Sequence, residues 1–294
     1  MNGVTVFWLI ASVSCSTARA VFSKRLGVSA GDSTGGRRAF YKTQALLFFI
    51  AAVWICVLNM QTMHIPSAET AVLGILYGIL TVLAQWLYTV ALGRMPVSVC
   101  ATVYSFGFII PTIFGTIVWH EHITFCKILS VGLCIAAIRL SSARPDTEHK
   151  KTPMGAFLPL MISMVSSGGL GIVQKLQQRS TRAPEVGSFL FLAFLLSAAV
   201  SLAAAALCAK SSVRVFRRES GIPIVLVGTA MAVANTANTL LAGRLPSVVV
   251  FPITNVGVIL LSSLISVFLL KEKLSGRQAL ALFLGVAAIV LFNF

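Results

Sequence analysis

Apolar residues run along this chain in long, nearly unbroken stretches, without the alternation of a half-buried strand or the one-sided stripe of a helix lying against water. Stretches long enough to cross a bilayer, about 20 residues each as helix, fall at 4–22, 39–58, 69–91, 96–118, 124–141, 154–176, 187–209, 221–242, 246–270 and 277–293. The pattern predicts an all-α integral membrane protein with ten transmembrane helices. Punctuation marks their edges. Pro66-Ser67 precedes the third, and Pro96 and Pro246 open the fourth and ninth, where a missing N–H costs nothing. Ser275 with Gln278 forms a capping box before the tenth.

The punctuation also repeats. Gly93-Arg94-Met95-Pro96 opens a run that closes at Trp119-His120-Glu121-His122-Ile123-Thr124, and Gly243-Arg244-Leu245-Pro246 opens one that closes at Leu270-Lys271-Glu272-Lys273-Leu274-Ser275. The opening glycines stand 150 positions apart and the closing glutamates 151, a register that points to duplication. The expected units are 1–141, a polar linker at 142–153, and 154–294. Five crossings per unit oblige the second copy to enter the membrane from the opposite side. The expected architecture is therefore two inverted five-helix repeats (5+5), an arrangement that places a solute site near the midplane where the halves meet.

Composition agrees with a membrane setting. Hydrophobic residues make up 57% and charged residues only 11%, against roughly 25% charged in a soluble domain. The net charge of +15 is scattered through short segments between apolar runs, which suits loops against anionic head groups rather than a nucleic-acid face. The expected partners are a small-molecule substrate and the lipid bilayer of the cell (cytoplasmic) membrane, with no nucleic acid; the chain is expected as a monomer or homodimer. Six cysteines sit singly without a C-x-x-C pair and read as packing residues. Val4 to Cys15 followed by Ala18-Arg19-Ala20 resembles a signal peptide, but it lacks a basic leading region and its removal would break the five-plus-five count, so it is read as the first helix.

The fourth-to-fifth and ninth-to-tenth regions resemble the EamA family of the drug/metabolite transporter superfamily. The likeness rests on the short Gly-Arg-x-Pro turn, a helix bearing Gly107 and Pro111 or Pro252 and Gly257, the acidic hinge, and Ala136-Ala137-Ile138 or Ala287-Ala288-Ile289 in the helix that follows. Lys24 and Lys175, 151 positions apart, also resemble that family's pattern. The resemblance implies transport by alternating access and both termini in the cytoplasm. The distribution of basic residues argues the other way: with the termini outside, 17 lie on the cytoplasmic side and 5 opposite, Arg19 uncounted.

Candidate chemistry is sparse. All eight acids fall in loops or at helix ends, whereas proton-driven export of cationic drugs generally needs a carboxylate within the membrane. A multidrug exporter is accordingly the weaker alternative, and a neutral, zwitterionic or anionic solute, such as an amino acid or related metabolite, the better one. Glu121 and Glu272 suit a structural role beside a positive helix terminus. His120-Glu121-His122 splays its ends about 200° apart on a helix, and Leu270 replaces His120 in the second copy; no metal or cofactor is expected. Ser166-Ser167-Gly168-Gly169-Leu170-Gly171 has no preceding strand and reads as a close-packing stripe rather than a phosphate loop.

Substrate-binding candidates come from polar positions matched by the repeat. Gln85 and Tyr88 correspond to Asn235 and Asn238, and Tyr104 and Ser105 to Thr254 and Asn255; Trp86 lies among them. They could line a cavity or serve as interhelical glue worth about 0.6 kcal/mol each. Arg19, the one basic residue well inside an expected span, is either a counter-charge for a carboxylate or phosphate or a snorkelling side chain. The leading expectation is a carrier of small organic metabolites with no catalytic residues. An intramembrane enzyme or assembly scaffold is the alternative, and an enzyme would need a nucleophile and base converging at depth.

Overall fold

In a computed structural model, the description covers residues 2–26, 34–92, 94–95, 97–121, 124–142, 154–208, 221–270 and 276–291. The chain is all helical: α1 (Gly3–Leu26), α2 (Thr34–Leu58), α3 (Ala68–Leu92), α4 (Val97–Ser105), α5 (Ile109–Trp119), α6 (Phe125–Ser142), α7 (Met154–Arg179), α8 (Val186–Leu207), α9 (Gly221–Arg244), α10 (Ser247–Leu270) and α11 (Gly276–Leu291). The fourth expected span is two helices, because a tight 3-10 turn at Phe106–Phe108 separates α4 from α5. Seven helical stretches among the described residues are long and apolar enough to cross a membrane; in α10 and α11 the apolar stretches, Ser247–Ser262 and Ala279–Leu291, are shorter. The second acidic hinge around Glu272, His122, most of the polar linker and the Ser275 cap lie outside the described residues.

The most extensive interfaces join helices far apart in sequence. α1 runs along α9, α2 along α8, α3 along α7, and α6 along α11. Small residues make these approaches possible in a bilayer, where packing replaces hydrophobic expulsion from water. A Cβ on Gly78 of α3 would stand 2.8 Å from the Ala193 carbonyl oxygen of α8, which leaves room for the Ser197 hydroxyl to donate to the Gly78 carbonyl at 3.1 Å. On α7, Ser163 is buried and donates to the Ala84 carbonyl of α3 at 2.7 Å.

The glycine stripe of α7 seats the break in the fourth span. A Cβ on Gly168 would lie 2.6 Å from the Gly107 carbonyl oxygen, and one on Gly107 would lie 2.9 Å from the Met164 carbonyl oxygen. Backbone meets backbone at the 3-10 turn. This is helix packing, and it explains why serine and glycine recur there.

One end of the bundle is held by polar contacts between loops and helix termini; it is called here the pinned end. Ser67 caps α3 by accepting from the Thr70 N–H. Its own N–H and hydroxyl donate to Glu185 Oε2 at 3.0 and 2.9 Å, joining the α2–α3 connection to the start of α8. Ser188 adds a second tie, accepting from the His64 N–H at 3.0 Å and donating to its carbonyl at 2.6 Å.

Candidate functional site

Three helices bring a polar cluster into the apolar interior. The Tyr77 hydroxyl of α3 donates to Asn235 Oδ1 of α9 at 2.7 Å. Gln174 of α7 donates through Nε2 both to the Tyr77 oxygen and to the Thr239 hydroxyl oxygen, each at 3.1 Å. Thr239 donates to the Asn235 carbonyl and Asn235 Nδ2 to the Met231 carbonyl, both at 2.8 Å. An unpaired amide or hydroxyl in a dry interior costs roughly 1–3 kcal/mol, so the cluster stabilises the meeting of α3, α7 and α9. Tyr77 is held by edge contacts to Phe189 and Phe194, with ring centres 5.3 and 6.5 Å away.

A fourth helix reaches the cluster from the side. Ser12 of α1 is buried and donates to Asn238 Oδ1, one turn from Asn235. Seven residues turn a helix to within about 20° of the starting direction, so Thr5, Ser12 and Arg19 share one face of α1. Arg19 is half-buried.

The repeat-matched candidates separate. Asn235 and Asn238 belong to this network. Gln85 is half-buried, and the one bond it makes there is its backbone carbonyl accepting from Thr89. Tyr88 lies against Tyr104, ring centres 4.7 Å apart, and Ser105 leads into the 3-10 turn. Trp86 packs on Tyr41 of α2 at 4.6 Å, with its buried indole N–H unpartnered. Thr254 and Asn255 spend their hydrogen bonds on carbonyls of their own helix, at Val250 and Phe251. The structure thus brings Asn235 and Asn238 into one network, while Tyr88, Tyr104 and Trp86 make ring contacts and Thr254 and Asn255 bond within their own helix.

Tyr77, Gln174 and Thr239 were not singled out by sequence reasoning. Tyr77 corresponds by the 150-residue offset to Val227, which has no polar group, so a search for matched polar pairs passes over it.

A second polar centre lies at the pinned end. His120 adopts a left-handed conformation (φ 51°) that ends α5 and turns Glu121 back into the bundle. Glu121 then accepts from the Ser247 N–H at 2.6 Å and its hydroxyl at 3.2 Å, and pairs with Lys175 of α7 at 2.9 Å. Lys175 also donates to the Leu245 carbonyl at 2.7 Å, and its ammonium stands 6.0 Å from the Trp119 ring centre. The side chains of Lys175 and Glu121 are 6% and 9% exposed. The glutamate caps a helix, as expected, but the helix is α10 rather than the next one in sequence. Gly115 makes the space: a Cβ there would meet Ser247 at 2.6 Å and Glu121 Oε2 at 2.9 Å.

A cavity of about 420 Å³ between α1, α2 and α9 near the pinned end is lined almost wholly by carbon, from Phe7, Trp8, Leu58, Pro184 and Val186. Its polar lining is confined to Asn59 and Thr236, with Asn59 Nδ2 donating to the Thr236 hydroxyl oxygen at 3.5 Å, whereas specific sites need a few placed polar groups. The polar cluster supplies such groups. Among the described residues no three His, Cys, Asp or Glu side chains are grouped to hold a metal ion.

Comparison with known proteins places these features in context. Residues 35–293 match the model of a family described as "Sugar transport protein". A solved structure titled "Crystal structure of protein" aligns with 100% of this chain and 97% of its own, with a TM-score of 0.79 and 16% identity, a likeness of fold. No curated protein matches.

Proposed function

The chain belongs to the family described as Sugar transport protein, a membrane-transporter family of the drug/metabolite-transporter kind, and from that premise we propose an alternating-access carrier for a small hydroxyl-bearing metabolite. In this reading the chain is an EamA-like 5+5 inverted repeat of ten crossings in the cell membrane, and it is a carrier rather than an enzyme. The observation that carries the proposal is the Tyr77–Gln174–Asn235–Thr239 cluster, drawn from α3, α7 and α9.

The helix pairing supports it. A five-helix offset exchanges α1 with α7, α2 with α8, α3 with α9, α4 and α5 with α10, and α6 with α11. It converts the α1–α9 interface into α7–α3, returns α2–α8 and α6–α11 to themselves, and so reproduces the main interfaces. One departure matters: α7 also packs on α9, whereas α1 and α3 share at most marginal contact. Gln174 and Thr239 bridge α7 and α9, and Glu121, Lys175 and Ser247 bind the termini beside them. The pinned end is then the closed gate of this state, and access runs from the opposite end. Rocking the halves would break the Glu121 contacts and close α1 onto α3.

The test is counterflow of labelled monosaccharides and small metabolites in proteoliposomes, since only a carrier exchanges solute across a sealed bilayer. Tyr77→Phe, and Asn235→Ala alone or with Gln85→Ala, should lower the initial rate by about tenfold, the value of a hydrogen bond near 1.4 kcal/mol, with folded yield unchanged. Unaltered counterflow in the Tyr77 and Asn235 variants would remove the cluster from the site.

A further inference from the structure

We propose that the transported solute is anionic, carrying a phosphate or carboxylate, and that Arg19 is the residue that receives this charge. The inference rests on the carrier reading above and names the solute class of that site. Arg19 is half-buried and makes no hydrogen bond or ion pair among the described residues. A cation held away from water without a partner is costly, and within membrane proteins such charges face a cavity or a ligand.

Its position on α1 sets its surroundings. Ser12, on the same face of α1, is bonded to Asn238, which fixes that face toward α9. Arg19 stands two turns farther from the pinned end, about 10 Å along the axis, on the side from which access runs in this state. An anionic group on Arg19 would leave the rest of a small solute within reach of Asn235, Tyr77 and Gln174, groups suited to hydroxyls.

Among the described residues no carboxylate pairs with the arginine. Of the described acids, Glu69 is exposed at the start of α3, and Glu121 and Glu185 are committed at the pinned end. The first turns of α2, at the access side, bear Arg37, Arg38 and Lys42 and no acid. Arg38 Nε is buried without a hydrogen-bond partner, as is the indole N–H of Trp86. Tyr41, one turn from Arg38, lies on Trp86. This side of the bundle carries positive charge, an arrangement that concentrates anions.

An anionic lipid head group presents the same chemistry to Arg19, so the experiment separates the two sources. The full chain is purified in neutral detergent, and binding of glucose, glucose 6-phosphate, gluconate and inorganic phosphate is measured by calorimetry; phosphatidylglycerol in mixed micelles is followed by thermal shift. Glucose 6-phosphate or gluconate should bind at least about tenfold more tightly than glucose, as a charge-assisted contact implies. The advantage should vanish in Arg19→Gln, return in part in Arg19→Lys, and weaken with salt. If glucose binds as tightly as the anionic sugars and Arg19→Gln has no effect, the anionic assignment is overturned. The carrier reading survives that result provided Asn235→Ala still weakens glucose binding, and fails with it if no sugar responds to Asn235→Ala. Binding of none of the anionic probes, or an Arg19-dependent shift with phosphatidylglycerol only, overturns the proposal as well.

Discussion

Two regions of this bundle handle buried charge in opposite ways. At the pinned end Glu121 is enclosed by Lys175, the Ser247 N–H and the Ser247 hydroxyl, and Glu185 by Ser67 and Arg182. Toward the other end Arg19 stands half-buried, without a partner among the described residues. A charge whose partners come from other helices holds those helices together, because separation would leave it unpaired in a poorly solvating interior. A charge left unmatched holds nothing until a ligand supplies its partner. On the proposed carrier reading, closure belongs to the first region and recognition to the second.

The largest effect should come from breaking the enclosed pair. Glu121→Ala leaves Lys175 buried and uncompensated and frees the first N–H of α10, at a cost of about 3–5 kcal/mol. The expected result is a marked fall in thermal stability of the purified protein. Replacing both partners, Glu121→Gln with Lys175→Met, should recover most of that stability while leaving the pinned end easier to open, read as faster cysteine labelling at a reporter near Ser247. A double variant as unstable as the single one would make the pair a structural anchor with no gating role.

A smaller effect is expected where backbones touch. Gly168→Leu forces a side chain into the Gly107 carbonyl and Ile110, an overpacking that costs about 1–3 kcal/mol and should hinder movement of the 3-10 turn over α7. Counterflow falling more than stability would mark the turn as a moving part; equal losses would mark it as static packing. The smallest effect belongs to Ser163→Ala, which removes one interhelical bond to Ala84, about 0.6 kcal/mol by measured averages in membranes. A loss several times larger by thermal unfolding would show that the α3–α7 seam depends on polar contacts rather than on close packing.

Helix positions were legible because a bilayer imposes a length on apolar runs, and Pro66, Pro96 and Pro246 punctuate the runs where the chain leaves it. The glycine stripe of α7 was legible as packing, and Glu121 as a residue beside a helix terminus. The site was legible in part. Asn235 and Asn238 stand out as amides in an apolar helix, and Arg19 as a lone charge. Tyr77 and Gln174 do not, since a single tyrosine or glutamine in a run reads equally as packing, and Tyr77 has no polar counterpart at the repeat spacing.

The amino-acid sequence by itself determined the class of molecule and the helical runs, because these follow from local hydropathy along one chain. Tertiary structure decided which polar groups meet. Whether Gln85 or Tyr77 faces Asn235 depends on how α3 is rotated against α9, and α10, not α6, receives Glu121 because His120 turns the chain back at the end of α5. Such contacts join helices separated by 65 to 226 residues, and their geometry is set by backbone approach at glycines and by side-chain volume, which no one-dimensional pattern records.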